Sequence, residues 1–361
     1  MNTSSIPALS ANTLLPQQPA LFDRSHWGRI VLTDRDRVRF LHNQTTNNIE
    51  QLTAGQGCYT TFVTSTGRTI DLATVYAFPD ALLVTVSPGM TQQIYDWMDR
   101  YIFFSDKVTL TDKSEETFLF TVLGDGCDAV LKALGSDDLV GQSPFTHQTI
   151  AIPETDLNIQ IAVGSDLAIA GYTLWGPKEH ADTLWQLLQK AGAQPATAQQ
   201  WEQLRIQQGR PVPTQELTDD DNPLEAGLWN SISFEKGCYI GQETIARLNT
   251  YQGVKKRLWG IYLEESPEVG TALTLLESND AAPAVEQADS TEPPKAGSKI
   301  GKLTSITHTE TGAYGLAYVR TKAGGAGLSV SADGIVGQLV PVPFVSHQYY
   351  SNPDKGNSGK S

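Results

Sequence analysis

The C-terminal part of the chain most constrains the fold. Six short runs, 257–263, 272–276, 300–307, 313–319, 328–332 and 337–342, are β-like and separated by turn residues. Strands of this length and spacing favour a small barrel or sandwich. Between the second and third runs, residues 277–298 are rich in Ala, Pro, Ser and acids, with five acids against one lysine. Such a stretch cannot bury enough apolar surface to offset chain ordering, so it reads as a disordered insert in the barrel.

Upstream, helical and strand-like periods alternate. Residues 28–33 read as a strand and 34–52 as a helix, with Asp34 as N-cap and Val38, Leu41 and Thr45 at helical spacing. Residues 58–63 and 69–78 alternate as paired strands across a turn at Ser65-Thr66-Gly67, and 82–86 continues the sheet. Residues 90–104 form an amphipathic pattern with Ile94, Trp97, Met98 and Tyr101 on one face; 108–111 and 118–123 are strands. A second unit follows, with a short helix at 127–134, strands at 159–163 and 172–175, and a helix opened by Pro177. Thr197 and Gln200 make a capping box for a helix ending near Gly209, and 241–248 is a further helix. The fold class is α+β. The expected divisions are a leader at 1–20, units at 21–124 and 125–250, a barrel at 251–350 and a tail at 351–361.

Forty acids outnumber 26 Lys and Arg, for a formal charge of −14. Such a surface repels phosphate backbones, so direct nucleic-acid binding is not expected. Lys255, Lys256 and Arg257 form the best local basic patch. No apolar run approaches the ~20 residues needed to span a bilayer, so no membrane partner is expected. Residues 1–19 carry no Lys or Arg and no long apolar block, unlike a secretory or transit signal; a cytoplasmic location is the expectation. Cys58, Cys127 and Cys238 show neither zinc or iron–sulfur spacing nor a disulfide framework. The acidic run Glu216, Asp219, Asp220, Asp221 and Glu225 reads as a solvated loop, and no metal site is expected.

Chemistry concentrates in Lys236-Gly237-Cys238-Tyr239-Ile240-Gly241-Gln242-Glu243. A thiol beside an ammonium is easier to ionise, and glycines let a ligand approach the main chain. Lys236 could hold an anion or tune the thiolate, Gln242 could read a heterocycle edge, and Glu243 could accept from a ring amine or complement the helix dipole. Arg247 lies at ion-pair spacing from Glu243, and a structural pair is the default. Arg205 lies on an amphipathic helix; if buried it needs a partner, and a ligand carboxylate is one candidate.

Lys236 to Glu243 resembles the signature of the YgfZ-type folate-binding proteins, relatives of the glycine-cleavage T-protein (aminomethyltransferase). Asn222-Pro223-Leu224-Glu225, Ile232-Ser233-Phe234, Ala246-Arg247 and Lys256-Arg257-Leu258-Trp259-Gly260 extend the likeness, as does Leu204-Arg205-Ile206 with Gly209. Ile300-Gly301, Thr304-Ser305, Pro343-Phe344-Val345 and Tyr349-Tyr350 look like the T-protein barrel, and Phe40-Leu41, Gly67 and Val75 like its N-terminal part. The resemblance implies a three-lobed fold with tetrahydrofolate in a central cavity. It also implies a role in assembly or repair of iron–sulfur proteins, including one that modifies tRNA. Cys238 and Lys236 are then the expected catalytic pair. Asp71, Arg205, Tyr239, Gln242, Glu243 and Arg247 are the expected folate contacts. Iron–sulfur client or assembly proteins are the expected partners, with no cluster held by this chain alone, since one thiol at the site cannot supply four ligands.

Two departures matter. T-proteins carry a Gly-Gly-x-x-Asp-Asp-like segment whose second Asp is catalytic; here Asp71 keeps the first and Leu72 replaces the second. Leucine can neither take a proton nor stabilise a cation. The carboxylate that would grip the pterin falls at Thr173, which can hydrogen-bond but not ion-pair. A folate-dependent one-carbon (aminomethyl) transferase is the alternative, and a non-catalytic interaction protein using the acidic insert is a third reading.

Overall fold

A computed structural model describes residues 16–153, 155–276, 294–310 and 312–351. The expected leader, insert and tail therefore fall largely outside the described residues. The elements run β1 (Ala20–Asp23), β2 (Gly28–Thr33), α1 (Arg37–Gln44), β3 (Gly57–Val63), β4 (Thr69–Ala77), β5 (Leu82–Val86), α2 (Thr91–Arg100), β6 (Thr109–Asp112) and β7 (Thr117–Leu123). Then come α3 (Cys127–Ala133), β8 (His147–Ala151), β9 (Asn158–Val163), β10 (Gly171–Pro177), α4 (Ala181–Lys190), β11 (Gln194–Ala196), α5 (Ala198–Gln208) and α6 (Gln242–Thr250). The C-terminal strands are β12 (Lys256–Leu263), β13 (Ala272–Leu275), β14 (Lys299–Thr309), β15 (Gly312–Arg320), β16 (Ser329–Ala332) and β17 (Ile335–Val340).

Three β-structures result: a five-stranded sheet β3-β4-β5-β2-β6, a six-stranded sheet β11-β1-β7-β10-β9-β8, and a closed barrel β12-β15-β14-β13-β16-β17. Closure removes the exposed edges that six short strands would otherwise present. The α+β class is as expected. The division at residue 124 differs, because β1 and β7 lie before it yet pair with each other and with strands of the second sheet. The first unit is thus inserted between two strands of the second.

The first sheet packs Ile30, Leu32, Ala73, Val75 and Val84 against Phe40 and Leu41 of α1 and Ile94 and Met98 of α2. On its other side Leu72 joins Ile206 of α5 and Leu258, Tyr314 and Leu316 of the barrel. β4 is therefore buried along its whole length. The helix expected over 34–52 is shorter. Asp34 takes φ +73 and cannot serve as its cap. The chain turns extended at Thr45, which bridges to Phe62, and the next residue, Thr46, hydrogen-bonds Thr61 and Ser231. Tertiary hydrogen bonds override the helical pattern there. The capping box at Thr197 and Gln200 forms, and Gly209 ends α5 at φ +82.

Candidate functional site

The signature segment crosses the first sheet's turn and enters α6. Gly241 takes φ +81, and a Cβ there would meet Thr64 O at 2.6 Å, so this glycine is required for close packing on the β3–β4 turn. Cys238 and Gly237 are exposed at the tip. Lys236 is buried, whereas the Cys238 thiol is exposed. Its Nζ donates to the carbonyls of His42, Thr45 (2.7 Å) and Asn47 (2.8 Å), and sits 4.9 Å over the Tyr239 ring. His42 O and Thr45 O belong to the C-terminal end of α1, where helical carbonyls lack internal partners. Lys236 therefore caps α1, a correction to its expected role beside Cys238. Burial draws its ammonium down to about 7, opposed by the Cys58 and Glu50 charges. The thiol it feels is Cys58, which burial pushes up to about 12.

The remaining expected contacts in this segment do not converge on a pocket. Tyr239 is core, packed with Trp229, Ile232 and Ile245. Gln242 donates to Lys236 O at 3.4 Å, closing the loop on itself. Glu243 and Arg247 are exposed, and among the described residues no ion pair joins them.

Asp71 and Arg205 belong to a second place. A cavity of about 230 Å³ opens between the β1–β2 connection, the Ser87-Pro88 turn after β5, and α5 with the segment following it. Trp27, Trp201, Arg24, Arg205, Arg210 and Ser87 are in its wall. Asp71, just past a register shift opposite Phe62 and Val63, accepts from Ser87 N (2.8 Å) and Ser87 Oγ (2.6 Å). Burial raises its carboxyl to about 6, against the pull of Ser87.

Arg205 is buried, as its helix face requires, but its partners are internal. It binds Glu216 at 3.0 Å and Glu202, Gln215 and Ser305 besides. Burial works against its charge, yet Glu202 and Glu216 hold its basicity above the usual. Glu216, Asp221 and Glu225 are buried while Asp219 and Asp220 are exposed, so the acidic run is a solvated loop only at those two residues. It folds inward because Arg205 and Lys256 meet it; Lys256 Nζ reaches Asp221 at 2.5 Å. Among the described residues no three His, Cys, Asp or Glu gather to hold a metal.

Sequence reasoning missed Arg24, Asp166, Trp27, Trp201 and Arg210. Arg24 pairs with Asp166 at 2.5 Å, both buried, and lies 3.9 Å from the Trp27 ring centre and 4.4 Å from that of Trp201. Burial disfavours the Asp166 carboxylate, but Arg24 and Arg210 together hold its carboxyl below the usual range. The available signal was Gly209-Arg210-Pro211, a charge fixed between a helix-ending glycine and a proline. Leu72 is sealed in the junction of first sheet, α5 and barrel. Thr173 Oγ1 donates to Gly164 O at 2.8 Å.

Two sheets and a closed barrel, with a cavity walled by aromatic and guanidinium groups beside α5, define a three-part α+β fold. Residues 14–236 match the GCVT N-terminal domain family, and the chain belongs to that family. It is 41% identical over 339 residues to a putative chloroplastic transferase of Arabidopsis thaliana, covering 93% of this chain and 73% of the relative. It is 28% identical to an aminomethyltransferase of Geobacillus kaustophilus, covering 90% and 86%. The glycine cleavage system aminomethyltransferase T of Bartonella henselae shares the fold, with a TM-score of 0.73 at 17% identity over 94% and 89% of the two chains.

Proposed function

We propose that this protein binds tetrahydrofolate and acts as a transferase of one-carbon type. The carrying observation is the cavity itself, whose Trp27, Trp201, Phe22 and Pro88 offer apolar surface while the arginines offer donors. That lining suits an aromatic ring that carries polar or charged groups. At about 230 Å³ it is smaller than the ~300–1,000 Å³ of sites that enclose drug-sized ligands. It therefore takes one part of a folate. The names of the similar proteins support transfer chemistry. Bound folate would carry the one-carbon unit, and this chain's residues would orient it. With Leu72 in apolar packing, Asp71 stands behind the wall, bonded to Ser87, while Asp23 and Glu202 line the cavity itself.

A second reading, maturation or repair of iron–sulfur proteins in the manner of the YgfZ branch, is favoured by one observation. Cys238 is exposed on a loop whose neighbours are committed to packing, so the thiol itself has no structural duty. Anaerobic calorimetric titration of tetrahydrofolate tests the shared premise; absence of binding would sink both readings. Production of 5,10-methylenetetrahydrofolate from an aminomethyl donor would select the first. Loss of cluster-enzyme activity in cells carrying only Cys238→Ser, with folate binding intact, would select the second.

A further inference from the structure

Three guanidinium groups reach one small cavity, and the protein neutralises two of them. Arg24 has Asp166, and Arg205 has Glu202 and Glu216. Arg210 is only 1% exposed, yet among the described residues the one hydrogen bond of its side chain is a 3.4 Å contact from Nη1 to Pro211 O, and its Nε has no partner. The Asp166 charge acts on it, but no hydrogen bond joins the two: Asp166 Oδ2 accepts from Arg24 and Oδ1 from Thr74. Instead Arg210 lies 4.7 Å from the Trp27 ring centre and 5.9 Å from that of Phe344. Ring faces hold a guanidinium in place without using its N–H donors. A buried guanidinium with most of its donors unused destabilises a fold. Its position is nevertheless imposed: Gly209 turns the chain at φ +82, and Arg210 N donates to Arg205 O.

We propose that Arg210 is a specificity-determining residue that seats a carboxylate of the bound ligand. The proposal rests on the folate reading for the ligand's identity, while the seat itself is a property of the cavity. A planar fork in a site shielded from water matches a carboxylate through two parallel hydrogen bonds. Neutral ligands of the same ring type would leave it unpaired.

Calorimetry and thermal melting on the full chain, comparing wild type, Arg210→Met and Arg210→Lys, test this with three probes. They are tetrahydrofolate, 6-methyltetrahydropterin (the ring without carboxylates) and 4-aminobenzoylglutamate (carboxylates without the pterin). The expected result is at least ~10-fold weaker binding of both carboxylate probes to Arg210→Met, the loss of one charged hydrogen-bonded contact. Arg210→Lys should recover part of that loss, and 6-methyltetrahydropterin should bind all three proteins alike. Ligand-free Arg210→Met should melt above wild type, as expected where an unpaired buried charge is kept for binding. Unchanged affinity of Arg210→Met for 4-aminobenzoylglutamate would overturn the proposal, as would failure of that probe to bind wild type. A lowered melting temperature with Arg210→Lys as damaging as Arg210→Met would make Arg210 structural and overturn it too. If tetrahydrofolate fails to bind wild type while 4-aminobenzoylglutamate binds in an Arg210-dependent way, the folate reading falls and the carboxylate seat stands.

Discussion

Two ionisable residues that sequence reasoning placed at a site do different work in the fold. Lys236 satisfies three carbonyls at and beyond the end of α1, and a buried acceptor left unpaired costs about 1–3 kcal/mol. Lys236→Met should therefore lose at least ~2 kcal/mol in urea unfolding. Its Cys238 alkylation rate under native conditions should match wild type, because the ammonium's donors are spent on those carbonyls; a marked slowing would restore the tuning role. Asp71 carries the opposite balance. Its carboxyl titrates near 6 when folded against an ordinary 3.8. Between those values the folded state holds a proton that the unfolded state has released. Stability from this group is thus greatest at low pH and declines as pH rises from about 4 to 6. The ionised form costs about 3 kcal/mol above that window. Asp71→Asn keeps an acceptor for Ser87, so it should be more stable than wild type at pH 7.5 and nearly equal at pH 4. Urea titrations at the two pH values check the sign.

The glycines of the signature segment separate in the same way between packing and access. Gly241 is held at positive φ against Thr64 and Gly67, whereas nothing lies within 4 Å of a Cβ at Gly237. Gly241→Ala should cost more than ~1 kcal/mol by chemical denaturation, and Gly237→Ala should stay within ~0.5 kcal/mol of wild type. Elements were legible where a local signal matched the tertiary setting. The box at Thr197 and Gln200, the turn at Gly67 and the six barrel strands all rest on such signals. β1, β8 and β11 were not, since strands of three to five residues owe their pairing to distant partners. α1 stopped short of its pattern because Thr45 and Thr46 found partners across the sheet. At the site, the signature was readable as chemistry-bearing, and Arg205 as needing a partner. The Arg24–Asp166 pair, 142 residues apart, had no local trace, and Arg210 became informative only once its neighbours' acids were seen to be taken.

The threading of the chain places the cavity where all three β-structures meet. β1 and β7 belong to the second sheet and enclose the first unit, so the connection carrying Arg24 and Trp27 is anchored in both sheets. α5 brings Trp201 and Arg205 from the barrel side, and Ser305 of the barrel is bonded to Arg205. Cys238 stands apart from this junction. The α6 entrance packs on the turn at Gly67, before β4 begins, and Cys238 is not in the wall of the cavity. Groups separated by more than 7–10 Å without shared partners act independently within about 0.3–0.5 kcal/mol. Cys238→Ser should then bind tetrahydrofolate within ~2-fold of wild type, and combining it with Arg210→Met should simply add the two effects. A Cys238→Ser loss of tenfold or more, or strong non-additivity in the double variant, would mean that one ligand spans thiol and cavity, and the two places would have to be treated as a single site.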